Sequence, residues 1–94
     1  MKPGLIVLYQ WQVAEEHAAA FTECWREATE NLKKHGALGS LLARAEDGSL
    51  WAIAQWPDRP TRKQAEASYI DTADWPPVRR LQTMLLEPLE NRWS

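Results

Sequence analysis

The chain has 94 residues and a formal net charge of −2 at pH 7, and 45% of its residues are hydrophobic. This length fits one domain, residues 1–94, and the acidic balance argues against a nucleic-acid partner, which would require a basic face. The lone cysteine, Cys24, excludes an internal disulfide, and the apolar run 5–9 is too short for a signal peptide or a membrane span. We therefore expect a cytoplasmic protein with no membrane partner.

The first predicted element is a strand over Leu5–Val13, which is rich in β-branched and aromatic residues. One face of this strand is apolar throughout, and the other face begins with Ile6 and Leu8. Strands that are apolar on both faces are covered on both faces. Helices can cover one face in so small a domain, and a second copy of the chain is the simplest cover for the other. The strand therefore predicts a homodimer.

An amphipathic helix is predicted over Ala14–His35, because apolar side chains recur on one face at the helical spacing. The members of that face are His17, Phe21, Cys24, Trp25, Ala28, Leu32 and His35. We interpret Cys24 as a small core residue and His17 as a partly exposed residue at the edge of the core. Gly36 suits a left-handed residue just after the helix.

A β-hairpin is predicted next, because two apolar stretches flank the turn signal Asp47-Gly48. Its strands are predicted over Leu38–Ala45 and Leu50–Trp56. Proline ends the second strand, and an aspartate can then cap a short polar helix over Asp58–Ser68.

The last part of the chain begins with a predicted connecting loop over residues 69–73. Asp74 followed by two prolines is typical of a helix start, and Val78, Leu81 and Leu85 would form the buried stripe of that helix. The segment Leu89–Trp93 fits a final short strand. The predicted class is therefore α+β, a β-α-β-β-α-β sandwich on an antiparallel sheet.

The sequence contains no Gly-rich phosphate loop, no serine-nucleophile motif and no zinc-binding motif. His17 and Cys24 are separated by about 11 Å of helical rise, so they cannot bind one metal ion by themselves. We expect no metal and no bound cofactor. An RNA-binding sheet is disfavoured because Leu50–Trp56 lacks the basic and aromatic start that such a strand needs.

Short segments spread along the chain as far as about Arg62 form a further pattern. They are Gln10-Trp11-Gln12-Val13, Glu16 with Phe21 and Trp25, Gly39-Ser40, Asp47-Gly48 and Ala52-Ile53-Ala54-Gln55-Trp56-Pro57. This pattern resembles the antibiotic-biosynthesis-monooxygenase-like family. The resemblance implies a ferredoxin-like sandwich that dimerises face to face into an α/β barrel.

Members of that family include enzymes that oxidise aromatic polyketides with molecular oxygen and without metal or flavin, and others that degrade haem. The haem-degrading members carry a tryptophan in the helix after the hairpin and a histidine ligand beyond it. This chain has no tryptophan in residues 58–68 and no histidine after His35. The resemblance therefore implies a cofactor-independent monooxygenase that acts on a small aromatic or quinol-like compound.

The substrate is expected in an apolar pocket between the first helix and the small residues Ala52 and Ala54. Three aromatic residues would stack on its ring, an arginine would hold the developing anion, and residues 69–75 would form a lid. These candidate site residues are Trp25, Tyr69, Trp75 and Arg80. Alternatively, aromatic side chains fill the interior and the protein is a non-enzymatic dimeric small-molecule-binding or accessory protein. A void of roughly several hundred cubic ångströms would favour the oxidase.

Overall fold

The computed structural model describes residues 3–92. The strands are β1 (Leu5–Gln12), β2 (Gly39–Arg44), β3 (Leu50–Trp56) and β4 (Arg79–Leu86), and the helices are α1 (Ala18–Lys33) and α2 (Arg59–Ser68). A short 3₁₀ turn, Glu15–His17, precedes α1. None of the described helices is long and apolar enough to cross a membrane.

The four strands form one antiparallel sheet in the order β2-β3-β1-β4. Tyr9 in the central strand β1 lies opposite Ala52 of β3 on one side and opposite Thr83 of β4 on the other. Both helices pack on the same face of this sheet, since Phe21 of α1 and Ala65 of α2 join the buried clusters there. The predicted ferredoxin-like α+β class is therefore confirmed.

The segment after residue 78 is a strand, so the helix predicted from Asp74 is wrong. Strand β4 pairs with β1 on the side away from β3, and it supplies partners for backbone groups of β1 that would otherwise be unpaired. This pairing outweighs the local helix-start signal. The strand predicted over Leu89–Trp93 is also wrong for the part that the structure covers, because residues 87–92 form no strand, and Trp93 lies outside the described residues.

The helix predicted over Ala14–His35 is shorter than expected, because its first turn is the separate 3₁₀ turn and α1 ends at Lys33. Gly36 has a φ of 105°, as predicted for the residue that ends the helix. A Cβ atom at Gly36 would also lie 2.6 Å from Cγ2 of Thr61 in α2. Glycine at this position therefore permits both the turn and the contact between the two helical segments.

The core beneath the helices consists of two clusters on the same face of the sheet. We call the first the packed cluster, and its members are Leu5, Val7, Trp56 and Ala65. We call the second the cavity cluster, and its members are Trp11, Phe21, Leu50 and Ala52. Tyr9 is packed against both of them.

The opposite face of the sheet carries apolar side chains that no described helix covers, and we call it the free face. Its half-buried members are Ile6, Leu8, Trp51 and Ile53, and its exposed members are Leu41, Met84 and Leu86. The strand register places them together, since Leu8 lies opposite Ile53 and Met84. The apolar second face predicted from β1 is therefore present.

Candidate functional site

A cavity of about 410 Å³ lies between α1 and the helix-covered face of the sheet and is partly open to solvent. Its floor includes Tyr9, Trp11, Ser40, Ala52, Ala54 and Arg80, and its roof includes Phe21, Trp25, Ala28, Leu32, Tyr69 and Trp75. This volume is within the range of small-molecule sites.

The cavity exists because small residues face small residues across the interior. Ala52 and Ala54 are neighbours on one face of β3, and Ala28 of α1 lines the same space from the helix side. Among residues 3–92, no side chain fills the space between them. The cavity therefore lies between the two faces from which the sequence predicted it.

The structure brings all four predicted site residues to this cavity. Trp25 lies on α1, Tyr69 directly follows α2, and Trp75 lies in the segment between α2 and β4. Arg80 lines the cavity from β4, opposite Trp11 of β1, and is exposed. Their contact with a substrate remains a prediction.

Four aromatic rings form a continuous series along one side of the cavity. The ring of Tyr9 stacks on Trp11 at 5.5 Å, and Trp11 meets Phe21 edge to face at 5.0 Å. Phe21 in turn lies 5.3 Å from Trp75. Part of this series fills the core, since Trp11 is only 8% exposed, whereas Trp75 is half-buried above the cavity.

Residues 69–78 form a segment without regular structure that covers the cavity beside α1. The indole N–H of Trp75 donates to Oδ2 of Asp71 at 2.6 Å, and the N–H of Ala73 donates to Oδ1 of Asp71 at 2.9 Å. Asp71 therefore fixes the position of the Trp75 ring. We call residues 69–78 the covering segment.

Cys24 links α1 to the covering segment rather than filling the centre of the core. Its thiol donates to the carbonyl oxygen of Asp74 at 3.5 Å. Burial raises the pKa of the Cys24 thiol, and the nearby charges of Glu27 and Asp74 raise it further. The thiol is thus protonated at neutral pH, which makes it a poor nucleophile.

Tyr69 keeps its phenolic proton at neutral pH. Burial raises the pKa of its hydroxyl, and the carboxylate of Asp71 raises it further, while a hydrogen bond from Asn31 opposes these effects. Neither His17 nor His35 lines the cavity. Among the described lining residues, Asp71 and Arg80 carry the charged groups.

The sequence did not single out Tyr9, which lines the cavity and whose hydroxyl is hydrogen-bonded to Arg62, a residue behind the cavity wall. Nη2 of Arg62 donates to the Tyr9 hydroxyl oxygen at 3.2 Å, and Nη1 of Arg62 is paired with Glu66 at 2.9 Å. The guanidinium carbon of Arg80 lies 5.5 Å from the centroid of the Tyr9 ring. Tyr9 and Arg62 are 53 positions apart, so no local pattern connects them.

A second, more polar depression of about 490 Å³ lies at the other end of the sheet, beside the β2–β3 turn. Its aspartate, Asp47, already accepts hydrogen bonds from the backbone and hydroxyl of Ser49. No group of three or more His, Cys, Asp or Glu residues that could hold a metal ion occurs among residues 3–92. The first cavity is therefore the candidate site.

Neither a family model nor a curated protein matches this sequence. Two solved structures resemble the fold over nearly the whole chain. A candidate antibiotic biosynthesis monooxygenase from Nitrosomonas europaea has a TM-score of 0.66 at 15% identity, and the match covers 95% of this chain and 94% of that one. Rv0793 from Mycobacterium tuberculosis has a TM-score of 0.59 at 15% identity, with 94% of this chain and 97% of that one covered.

These comparisons define the class of fold. The chain has the ferredoxin-like α+β fold of the antibiotic-biosynthesis-monooxygenase-like structures, and the resemblance in the sequence is confirmed at that level. At 15% identity the likeness concerns the fold alone, so the argument for function rests on the cavity.

Proposed function

We propose that the protein is a cofactor-independent monooxygenase that oxidises a small aromatic or quinol-like compound with molecular oxygen. The observation that supports this proposal most directly is the cavity of about 410 Å³, walled by aromatic rings and bordered by Arg80. The name of the Nitrosomonas europaea protein, which has the same fold, is consistent with it.

In such a reaction the substrate is itself the electron donor. A hydroxylated aromatic compound loses a proton to water at the open side of the cavity, and the anion transfers one electron to O₂. The resulting radical and superoxide combine to a peroxide anion at a ring carbon that bears hydrogen, and this anion takes up a proton from water. Loss of water, which removes the hydrogen of that carbon and the outer oxygen atom, leaves a carbonyl group. One oxygen atom of O₂ is thus found in the product and the other in water.

The protein needs to stack the ring, exclude water and stabilise the anion. We assign the stacking contacts to Trp25, Tyr69 and Trp75, and the contact with the anion to Arg80. The raised pKa of Tyr69 suits a neutral partner for the ring. The covering segment, held by Asp71, would limit the access of water.

Oxygen consumption tests this proposal. Purified protein is incubated with hydroquinones and anthrones in an oxygen electrode, in buffer treated with a chelator. Uptake above the uncatalysed rate, reduced in Trp25→Ala and Trp75→Ala but not in Leu89→Ala, is the expected result. Binding of these compounds with no oxygen uptake would instead favour the non-enzymatic binding or accessory role. No uptake and no binding would reject both.

We further propose that two copies pair through the free face, in the reducing environment of the cytoplasm. The exposed side chains of Leu41 (55% exposed) and Met84 (43% exposed) support the pairing, since an apolar area of this kind is typical of an interface. The single free thiol of Cys24 is consistent with that location.

Sedimentation equilibrium at micromolar concentration tests the pairing. The wild type is expected to be a dimer, and Met84→Lys is expected to be a monomer because a charge would be buried in the interface. Leu89→Lys is the matched control, since Leu89 is 93% exposed and lies outside the sheet. A monomeric wild type would reject the proposed dimer.

A further inference from the structure

We propose that Tyr9, a lining residue whose hydroxyl is oriented by Arg62, is an anion-recognition residue of the cavity and selects the ligand in its deprotonated form. This inference rests on the proposed function, because it assumes that the cavity binds a hydroxylated aromatic compound. The ligand oxygen would then have two contacts, one with the Tyr9 hydroxyl and the one already assigned to Arg80. The ligand class is therefore narrowed to phenolates and enolates of planar ring systems.

The hydrogen bond from Arg62 determines what the Tyr9 hydroxyl can offer. Because Arg62 donates to the Tyr9 oxygen, the one proton of that hydroxyl is free to be donated. No described residue accepts this proton. Since Tyr9 lines the cavity, an oxygen atom of a bound ligand is the natural acceptor.

The Tyr9 ring is held in place before any ligand arrives. Trp11 stacks on it with an angle of 11° between the ring planes, and the guanidinium group of Arg80 lies over it. Arg62 is fixed in turn by Glu66 and is only 19% exposed. A hydroxyl that is already positioned loses little conformational freedom on binding, which strengthens recognition.

The charges around Tyr9 favour a negative ligand. Arg62 is paired with Glu66, whereas Arg80 has no acidic partner among the described residues. The nearby carboxylate of Asp71 belongs to the covering segment and already accepts from Ala73 and Trp75. A phenolate oxygen is a stronger acceptor than an ether oxygen, so this arrangement distinguishes the two.

Two closely related probes test the inference without any measurement of activity. Lawsone is a hydroxynaphthoquinone that is anionic at neutral pH, and its methyl ether is neutral with the same ring system. Affinities are measured by quenching of tryptophan fluorescence and by calorimetry. The wild type is expected to prefer lawsone by about tenfold or more, the effect of a hydrogen bond to a charged group.

The variants identify the residues responsible. Tyr9→Phe keeps the ring and its stacking contact and is expected to remove most of the preference for lawsone. Arg62→Met is expected to have a similar effect, and it tests the inference independently if Tyr9→Phe does not fold. Arg59→Met is the matched control, because Arg59 lies on the same helix and is exposed.

The outcomes separate this inference from the proposed function. Equal binding of both probes by the wild type, or an unchanged preference in Tyr9→Phe and Arg62→Met, would overturn the inference and leave the proposed aromatic site standing. If the wild type binds neither probe, the proposed function loses its support and the inference fails with it. Loss of the preference in both variants, with no change in Arg59→Met, would support the inference.

Discussion

The packed cluster and the cavity cluster lie on the same face of the same strands, yet they border the cavity to different extents. Three of the four members of the cavity cluster line it, whereas Trp56 alone does so in the packed cluster. In the packed cluster the small residue Ala65 of α2 faces large side chains, among them Leu5 and Trp56. Beside the cavity cluster, Ala28 of α1 and Ala52 of β3 line the same open space and are too small to fill it. The position of small residues on each side, rather than the hydrophobicity of the surfaces, decides where a cavity forms.

The cover over the two clusters differs as well. Helix α2 lies directly over the packed cluster, and its first turn is capped by Asp58. The cavity is covered partly by α1 and partly by the covering segment, which has no backbone hydrogen-bond ladder of its own. The least regular cover therefore lies over the candidate site, as is common for ligand sites.

The largest effect is expected for Leu5→Ala in the packed cluster. Leu5 is 1% exposed, so the substitution leaves a void and should lower the free energy of unfolding by about 2–5 kcal/mol. Urea unfolding followed by circular dichroism measures this change. Leu89→Ala, at a position that is 93% exposed, should stay within about 0.5 kcal/mol of the wild type. Similar losses in both variants would contradict the assignment of the packed cluster.

The same substitution at two alanines gives the most direct test of the comparison. Ala65→Leu should overpack the packed cluster and cost about 1–3 kcal/mol of stability. Ala28→Leu should fill the cavity, so we expect stability within about 1 kcal/mol of the wild type and loss of lawsone binding by more than about tenfold. Both residues are helical, so helix propensity is matched. Retained binding in Ala28→Leu would show that the ligand lies elsewhere.

Much of this arrangement could be predicted from the sequence as far as Ser68. The turn Asp47-Gly48, the stop at Trp56-Pro57 and the helical repeat of α1 are local signals, and each corresponds to an observed element. Strand β4 was missed because its formation depends on the free edge of β1, which is more than 60 residues away in the chain.

The candidate site could be predicted only where local sequence patterns place its residues. Trp25 and the alanines of β3 were placed on facing surfaces by periodicity alone, and they do line one cavity. Arg80 also reaches it, although from a strand rather than from the predicted helix. The pair Tyr9 and Arg62 could not be predicted, because their hydrogen bond depends on how α2 is placed over β1.

An intermediate effect, on ligand affinity, is expected for Trp75→Ala. Loss of the ring removes a stacking wall and its contact with Phe21, and should weaken lawsone binding by about tenfold. The cost in stability should be smaller than that of Leu5→Ala, because Trp75 is half-buried in the covering segment. Calorimetric binding and urea unfolding of the same preparation measure both quantities. A large loss of stability with unchanged affinity would make Trp75 a core residue.

The smallest effect concerns the cap of α2 and depends on pH. Hydrogen bonds from the hydroxyl and the backbone N–H of Thr61 hold the pKa of Asp58 below its ordinary value in the folded protein. A carboxylate whose pKa is lowered by folding stabilises the folded state above its unfolded pKa, and this contribution is lost as the pH falls through the folded pKa. Asparagine can form the same cap without titrating.

Asp58→Asn should therefore leave the thermal midpoint nearly unchanged at about pH 7, where both residues cap the helix. Between about pH 5 and about pH 3, the midpoint of the wild type should fall more steeply than that of the variant. Asp47→Asn is the comparison at the hairpin turn, because hydrogen bonds from Ser49 lower the pKa of Asp47 in the same direction. In both variants the thermal midpoint should fall less steeply at acid pH than in the wild type. Only Asp58→Asn, however, replaces the residue that caps the helix over the packed cluster. Parallel curves for the wild type and Asp58→Asn would show that ionisation of this cap contributes nothing to the stability of α2.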